Sequence, residues 1–246
     1  SPEQQIDLVD IESGELQGTL RGHNAPITGL SLNKEGTHLL SGSLDQTAIL
    51  WDIAAEDVQT VFSNERIGSI TRAIFSADQQ SVFTSDEDGL IAQWSLDGDL
   101  MTTYDDGPPN GIINLIQSPD GQWLVAGGRS GVIVVWDALT GERIGDLEGH
   151  TDAVIALLFT DDNVLLSGSR DSQMILWDVE HDDPRISTLD AHADWVLDIA
   201  LSKDGTTFAS AGRDGIIFLW DVTTQRPIGQ SLNGHVDWVI NLEFSD

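Results

Sequence analysis

Apolar residues along the chain come in short runs. The runs at 29–32, 38–43 and 48–53 are rich in Leu and Ile, and Gly, Asp or Asn residues separate them. Short apolar runs between turn-forming residues predict β-strands, whereas helices would show a 3.6-residue period over longer stretches. New runs begin about every ten residues. The pattern predicts an all-β chain of antiparallel meander sheets.

One sequence motif recurs along the chain at intervals of about 42 residues. Five tryptophans mark it, and four of them precede an Asp: Trp51, Trp94, Trp136, Trp177 and Trp220. A histidine marks the same period in the pairs Gly22-His23, Gly149-His150, Ala191-His192 and Gly234-His235, while Arg66 and Pro108 occupy the two other positions in this register. A period of 20–50 residues is typical of repeat architectures, in which each repeat is one supersecondary unit.

The Gly-His, Asp and Trp-Asp markers resemble those of the WD-repeat (WD40) β-propeller family over essentially the whole chain. The repeats are similar to those of bacterial multi-repeat WD40 proteins. The resemblance implies four-stranded antiparallel blades, with strands a to d in chain order. It predicts one domain or fragment over 1–246, with five whole repeats. Repeats 1 to 5 are 21–64, 65–106, 107–148, 149–190 and 191–233, with strands c and d of a partial repeat in 1–20 and strand a of another in 234–246. Two alternatives stay open: closure as six blades, or membership in a seven-bladed or longer parent that carries further domains.

The resemblance also implies a structural hydrogen-bond network in each repeat. Its members are the His before strand a, a Ser or Thr of strand b, the Asp of the b–c turn and the Trp of strand c. A nearly buried carboxylate is tolerated only where donors surround it, as these groups would. The predicted members are His23, Ser41, Asp45, Trp51; His150, Ser167, Asp171, Trp177; His192, Ser210, Asp214, Trp220; and, with Arg66 as substitute for the His, Thr84, Asp88 and Trp94. Repeat 3 keeps only Trp136, and has Pro108, Ala126 and Ser130 at the other positions.

His150, Ser167 and Asp171 also match the residue types of a hydrolase triad. A catalytic triad occurs once in a protein, whereas this set recurs in several repeats, which favours the structural interpretation. The acidic pairs and clusters Asp86–Asp88, Asp105-Asp106, Asp161-Asp162 and Asp182-Asp183 lack the spacing of calcium loops. We therefore expect no catalytic residue, no metal site and no cofactor.

Two positions of the repeat collect residues that are common in binding surfaces. Three repeats carry an arginine one residue before the Asp position: Arg129, Arg170 and Arg213. Trp195 and Trp238 lie three residues after the His position, and Arg and Trp are enriched in binding hot spots. One interpretation is a site for a peptide or protein that carries carboxylates or aromatic groups, on the propeller face that, as the resemblance implies, bears both the His loops and the b–c turns. The other is local pairing, in which Asp152, Asp194 and Asp237 neutralise the arginines and each Trp packs on its own repeat.

Charge and cysteine content narrow the class of partner. With 11 Lys plus Arg and 41 Asp plus Glu, the formal net charge of −30 repels nucleic acid and anionic lipid at long range. The 246 residues include no cysteine, and no apolar stretch reaches the length of a membrane helix. We expect a cytoplasmic, non-catalytic scaffold or sensor module that binds proteins or peptides. The alternatives are a propeller hydrolase or lyase with its site in the central channel, and a purely architectural component of an oligomer.

Overall fold

The computed structural model describes residues 4–181, 184–190 and 192–245. Every regular element in these residues is a β-strand, which confirms the predicted all-β class. The chain divides into two units, Ser1–Gly107 and Pro108–Asp246. The predicted repeat boundaries stay a prediction. Ala191, Asp182 and Asp183 lie outside the described residues, as do residues 1–3 and Asp246.

Unit 1 contains three antiparallel sheets whose strands follow chain order. A two-stranded sheet of β1 and β2 precedes the four-stranded sheets β3–β6 of repeat 1 and β7–β10 of repeat 2. The strands are β1 Gln4–Val9, β2 Leu16–His23, β3 Ile27–Leu32, β4 His38–Ser43, β5 Ala48–Asp52, β6 Asp57–Phe62, β7 Ile70–Phe75, β8 Ser81–Asp86, β9 Ile91–Ser95 and β10 Leu100–Tyr104. Each whole repeat therefore forms one meander sheet, as its pattern of runs and turns predicts.

Unit 2 repeats this arrangement in the sheets of repeats 3, 4 and 5. Its strands are β11 Ile112–Gln117, β12 Trp123–Gly128, β13 Ile133–Asp137, β14 Arg143–Leu147, β15 Val154–Phe159, β16 Val164–Ser169, β17 Gln173–Asp178, β18 Arg185–Asp190, β19 Val196–Leu201, β20 Thr207–Gly212, β21 Ile216–Asp221, β22 Arg226–Pro227 and β23 Leu232–Asn233. In repeat 5 the outer strand is split into β22 and β23, which both pair with β21. Pro227 at the break has no N–H to continue the ladder.

The core lies along strands b and c of each sheet. All six residues of β8 and of β12 are buried, whereas the outer strand β6 is mostly exposed. Strands covered on both faces become continuous apolar runs, which explains why the b and c runs are the clearest in the sequence. The strand c tryptophans are at most 3% exposed.

Consecutive sheets within a unit pack through a glycine of strand b. A Cβ on Gly168 of β16 would lie 2.7 Å from Cγ1 of Val196 in β19, and Gly127 stands in the same relation to Val154 at 2.9 Å. Real Cβ atoms do not approach neighbours this closely. The absent side chain at these positions therefore sets how closely one repeat approaches the next.

The strand a predicted in 234–246 is absent from the described part of that range. Within 234–245 the structure assigns no strand, although Val239 is buried and its N–H donates to Gly212 O at 3.2 Å. The N–H of Leu242 donates to Asp198 Oδ2 at 2.6 Å. A strand requires a neighbour that pairs along its length, and no described strand pairs with this segment. The segment thus lies against repeat 5 without a ladder of its own.

Candidate functional site

Repeats 1, 4 and 5 each join the four predicted side chains in one network. In repeat 4, His150 Nδ1 lies 2.9 Å from Asp171 Oδ2, and His150 Nε2 lies 2.7 Å from Ser167 Oγ. The indole Nε1–H of Trp177 donates to the same Ser167 Oγ at 2.8 Å. A neutral imidazole protonated on Nδ1 satisfies all of these atoms, because Nε2 then accepts the serine O–H.

The other two networks have nearly the same geometry. The His Nε2 to Ser Oγ distance is 2.7 Å in repeat 1 and 2.9 Å in repeat 5. The Trp Nε1 to Ser Oγ distance is 2.8 Å and 3.0 Å respectively. The structure thus brings together His23, Ser41, Asp45 and Trp51, and likewise His192, Ser210, Asp214 and Trp220.

The aspartate of the network also holds the loop that carries the histidine. Asp171 Oδ2 accepts the N–H of Thr151 at 2.8 Å, and Oδ1 accepts the N–H of Gln173 at 3.0 Å. Burial alone raises the pKa of Asp171, but these backbone donors and His150 outweigh it, so that the pKa is lowered. The pKa values of Asp45 and Asp214 are lowered in the same way. The turn is therefore built around an ionised carboxylate.

The histidine of repeat 4 is held in its neutral form. Its side chain has no exposed surface, and burial lowers the pKa of His150 although Asp171 opposes the shift. The hydrogen bonds of the ring with Asp171 and Ser167 raise the pKa as well, so burial decides the neutral state against them.

In repeat 2 the structure contradicts two predictions, the role of Asp88 and that of Arg66. Asp86, which is 1% exposed, accepts the N–H groups of Gly68, Asp88 and Leu90 at 2.9 to 3.0 Å, whereas Asp88 itself is exposed. Arg66 lies 3.5 Å from Asp105, and both side chains are mostly exposed, so it does not replace the histidine in contact with a buried carboxylate. The carboxylate has moved two positions along the turn because β8 ends in Asp86, where repeat 1 has Ser43.

The rest of the network persists in part in repeats 2 and 3. Trp94 Nε1–H donates to Thr84 Oγ1 at 2.9 Å, as predicted for strands b and c. In repeat 3, Ala126 and Trp136 are fully buried, and Ser130 Oγ accepts the N–H of Val132 at 3.3 Å. Packing of apolar side chains therefore contributes a larger share of the stability in repeat 3 than in the repeats with a complete network.

The networks are poorly placed for chemistry on a substrate. Ser41, Ser167 and Ser210 have no exposed surface, and each hydroxyl oxygen already accepts an indole N–H. A nucleophile has to reach its substrate. The geometry therefore suits a structural role. Among the described residues, no group of three or more His, Asp and Glu side chains is placed to hold a metal ion.

Unit 2 brings four of the five predicted binding residues into one stack, which we call the Arg–Trp stack: Arg170, Trp195, Arg213 and Trp238. The Cζ atoms of Arg170 and Arg213 lie 4.4 and 4.5 Å from the centre of the Trp195 ring. Arg213 Cζ also lies 4.5 Å from the centre of the Trp238 ring, and the two indoles are 6.4 Å apart. These are cation–π distances. Trp238 remains 49% exposed, so the stack presents aromatic surface to solvent.

The alternative interpretation, in which nearby carboxylates pair with the arginines, accounts for few of these contacts. Arg213 Nε lies 3.8 Å from Asp194 Oδ2 across a partly exposed pair. The carboxylates of Asp152, Asp194 and Asp237 instead accept the N–H of the following residue. Arg170 and Arg213 are held mainly by indole rings. The sequence register placed Arg and Trp on neighbouring turns, but only the structure shows that they stack on each other.

Known families match most of the chain. A model described as "WD domain, G-beta repeat" matches residues 14–52 and 184–221, and one described as "DDB1- and CUL4-associated factor 12 beta propeller" matches residues 80–190. The chain is a WD-repeat protein. The four-stranded meander sheets are its blades, and their hydrogen-bond networks occupy the markers of the repeat.

Curated relatives are longer WD-repeat proteins. "Nuclear distribution protein nudF" of Aspergillus niger is 27% identical over 217 residues, 78% of this chain and 48% of the relative. "WD repeat-containing protein 26 homolog" of Arabidopsis thaliana is 31% identical over 75% of this chain and 31% of the relative. "Guanine nucleotide-binding protein subunit beta" of Oryza sativa subsp. japonica is 30% identical over 63% and 44%. The chain thus spans about half or less of these relatives, and they give no support to the bacterial resemblance.

Proposed function

We propose that this WD-repeat chain is a non-catalytic protein-interaction module that binds a peptide or protein segment through the Arg–Trp stack and Arg129. WD-repeat relatives include a guanine nucleotide-binding protein subunit and "Pre-mRNA-processing factor 19" of Oryza sativa subsp. japonica. The cytoplasmic location expected from the sequence remains part of this proposal. No helix in the described part of the chain has the length and hydrophobicity to span a bilayer.

The Arg–Trp stack is the observation that carries the proposal. The stack presents an exposed indole and two guanidinium groups on the turns of successive repeats, and Arg129 adds a third guanidinium one repeat earlier, in a chain with only 11 cationic side chains. Stacked arginines keep N–H groups at the ring edges for carboxylates, and exposed indole surface gains free energy when a partner covers it. The ligand that fits is a segment with acidic and aromatic side chains.

Selection from a random peptide display library against the purified chain tests the proposal. Enriched sequences should combine Asp or Glu with Trp, Tyr or Phe, and charge reversal at Arg129, Arg170 and Arg213 should abolish their binding. The reversed variant should still unfold cooperatively. Its free energy of unfolding should fall only by the loss of the exposed cation–π contacts, which contribute about 0.5–1 kcal/mol each.

The control variant reverses Arg143 and Arg226, two arginines outside the stack, and should bind the selected peptides as the parent chain does. A selection without enrichment contradicts the proposal. So do peptides that bind the two reversed variants equally well.

A further inference from the structure

The Arg–Trp stack ends at repeat 4. In repeat 5, Trp195 lies between Arg170 of the preceding repeat and Arg213 of its own repeat. Arg213 in turn contacts Trp238, which occupies the same register position as Trp195. An aromatic residue in this register therefore separates the arginines of consecutive repeats.

One repeat earlier, the same backbone holds an alanine. The N–H of Arg170 donates to Ala153 O at 3.0 Å, as the N–H of Arg213 donates to Trp195 O at 2.8 Å. Asp152 Oδ1 accepts the N–H of Ala153 at 2.6 Å, and Asp194 Oδ1 accepts that of Trp195 at 2.8 Å. The local structure is therefore the same, and the indole is what repeat 4 lacks.

The arginines of repeats 3 and 4, between which Ala153 stands in the repeat register, have N–H groups without partners in the described ranges. The side chain of Arg129 is exposed and has no ion pair or hydrogen bond within the part of the chain that the structure describes. The Nε atom of Arg170 is buried and has no hydrogen-bond partner among the described residues. Within residues 4–181, 184–190 and 192–245, the guanidinium of Arg129 contacts neither an indole ring nor a carboxylate, so it can stack on a ring and donate N–H groups to a carboxylate.

We propose that Arg129 and Arg170 form a subsite for one aromatic side chain of the partner, with a carboxylate next to it in sequence. The ring stacks on the guanidinium of Arg129 and supplies the aromatic group that Ala153 does not. Ala153 is only 2% exposed, so the ring rests on Arg129 and does not reach the alanine Cβ. The neighbouring carboxylate accepts guanidinium N–H groups. This inference rests on the proposed function and names its ligand class.

Short peptides probe the subsite directly. Acetyl-Asp-Trp-Asp-amide is titrated into the chain while the arginine Nε–H signals are followed by NMR, in parallel with acetyl-Asp-Leu-Asp-amide and acetyl-Asn-Trp-Asn-amide. We expect a saturable shift of the Arg129 signal with the first peptide, and affinities at least fivefold lower for the other two. Equal affinities for the three peptides would overturn the inference.

Variants separate the subsite from the rest of the surface. Arg129→Ala should lower the affinity for acetyl-Asp-Trp-Asp-amide at least fivefold, because the ring then has no guanidinium on which to stack. Arg226→Ala, at an exposed arginine of β22, is the matched control and should bind normally. Unchanged affinity in Arg129→Ala overturns the subsite. If library-selected peptides lose binding on triple charge reversal yet tolerate Arg129→Ala, the proposed function stands and this subsite falls.

Discussion

At the scale of single residues, burial decides which of several similar side chains holds a turn. Asp171 and Asp86 both accept backbone N–H groups from two loops, although they occupy positions two residues apart in the repeat register. A carboxylate that accepts several N–H groups is stabilised in its charged form and fixes the loops that donate to it. Position in the motif alone does not identify this carboxylate.

Repeat 2 offers a matched pair of substitutions in one turn. Asp86→Ala should lower the free energy of unfolding by about 3 kcal/mol, because three backbone donors lose a buried acceptor. Asp88→Ala, at the exposed position, should change it by less than about 0.5 kcal/mol. Urea denaturation of both variants measures the difference, and a larger loss in Asp88→Ala would show that the motif position is the one that matters.

The buried histidine makes stability depend on pH. Burial holds the pKa of His150 below its unfolded value of about 6.5, so the folded state binds fewer protons than the unfolded state in this window. Its contribution is complete above pH 6.5 and is lost as the pH falls. The lowered pKa values of Asp45, Asp171 and Asp214 add a further loss below about pH 4.

We therefore expect the free energy of unfolding to fall between pH 7 and pH 5. In His150→Gln this dependence should be weaker, since no buried imidazole is left to titrate in repeat 4. The exposed His235 supplies the control, and His235→Gln should keep the parent slope. Chemical denaturation at a series of pH values decides the matter, and equal slopes in the three proteins would count against a neutral, buried His150.

Residue types at a fixed period, together with the resemblance to WD repeats, predict the networks of repeats 1, 4 and 5. The period shows that His, Ser, Asp and Trp belong to one structural unit. It does not show burial, so the register predicts Asp88, whereas the structure buries Asp86. It also does not show which side chains stack, so Arg170 and Trp195 were predicted as neighbours but not as a contact pair.

At the scale of strands, packing between repeats depends on small residues in strand b. Gly168 faces Val196 of the following repeat, and a Cβ there would lie 2.7 Å from the valine and 3.3 Å from Ala156 Cβ. Protein interiors are close-packed, so an added methyl group forces the sheets apart or moves side chains from their preferred rotamers.

Gly168→Ala should therefore lower the free energy of unfolding by about 1–3 kcal/mol. In a Val196→Ala background the same substitution should cost less, because the valine methyl group that it meets is gone. Gly145→Ala in β14 is the control, since a Cβ at Gly145 has no atom within 4 Å. A double-mutant cycle measures the coupling between Gly168 and Val196, and a coupling of zero would rule out the contact.

Strands b and c were easier to predict than the segments at the edges of the repeats. Their residues are buried on both faces, so the apolar runs in 38–43 and 48–53 are nearly continuous. The segment 234–245 has a similar apolar run, but a strand also needs a partner that hydrogen-bonds along it. That requirement is not visible in the segment's own sequence.

At the scale of the whole molecule, repetition distinguishes a structural network from an active site. The His, Ser, Asp and Trp network occurs in repeats 1, 4 and 5, whereas a catalytic group is needed once. The residues that vary between repeats, such as Arg129, Trp195 and Trp238, lie on turns and carry the proposed binding. A net charge of −30 makes this group of arginines stand out from the rest of the surface.

The most direct measurement compares the same network position across repeats. Asp45→Ala, Asp171→Ala and Asp214→Ala should each lower the free energy of unfolding by about 3 kcal/mol, because each leaves buried donors without an acceptor. Ser130→Ala, at the equivalent position of repeat 3, should change it by less than about 0.5 kcal/mol. Urea denaturation of the four variants gives these values. Three aspartate variants as stable as Ser130→Ala would contradict the claim that the repeated polar residues hold the fold together.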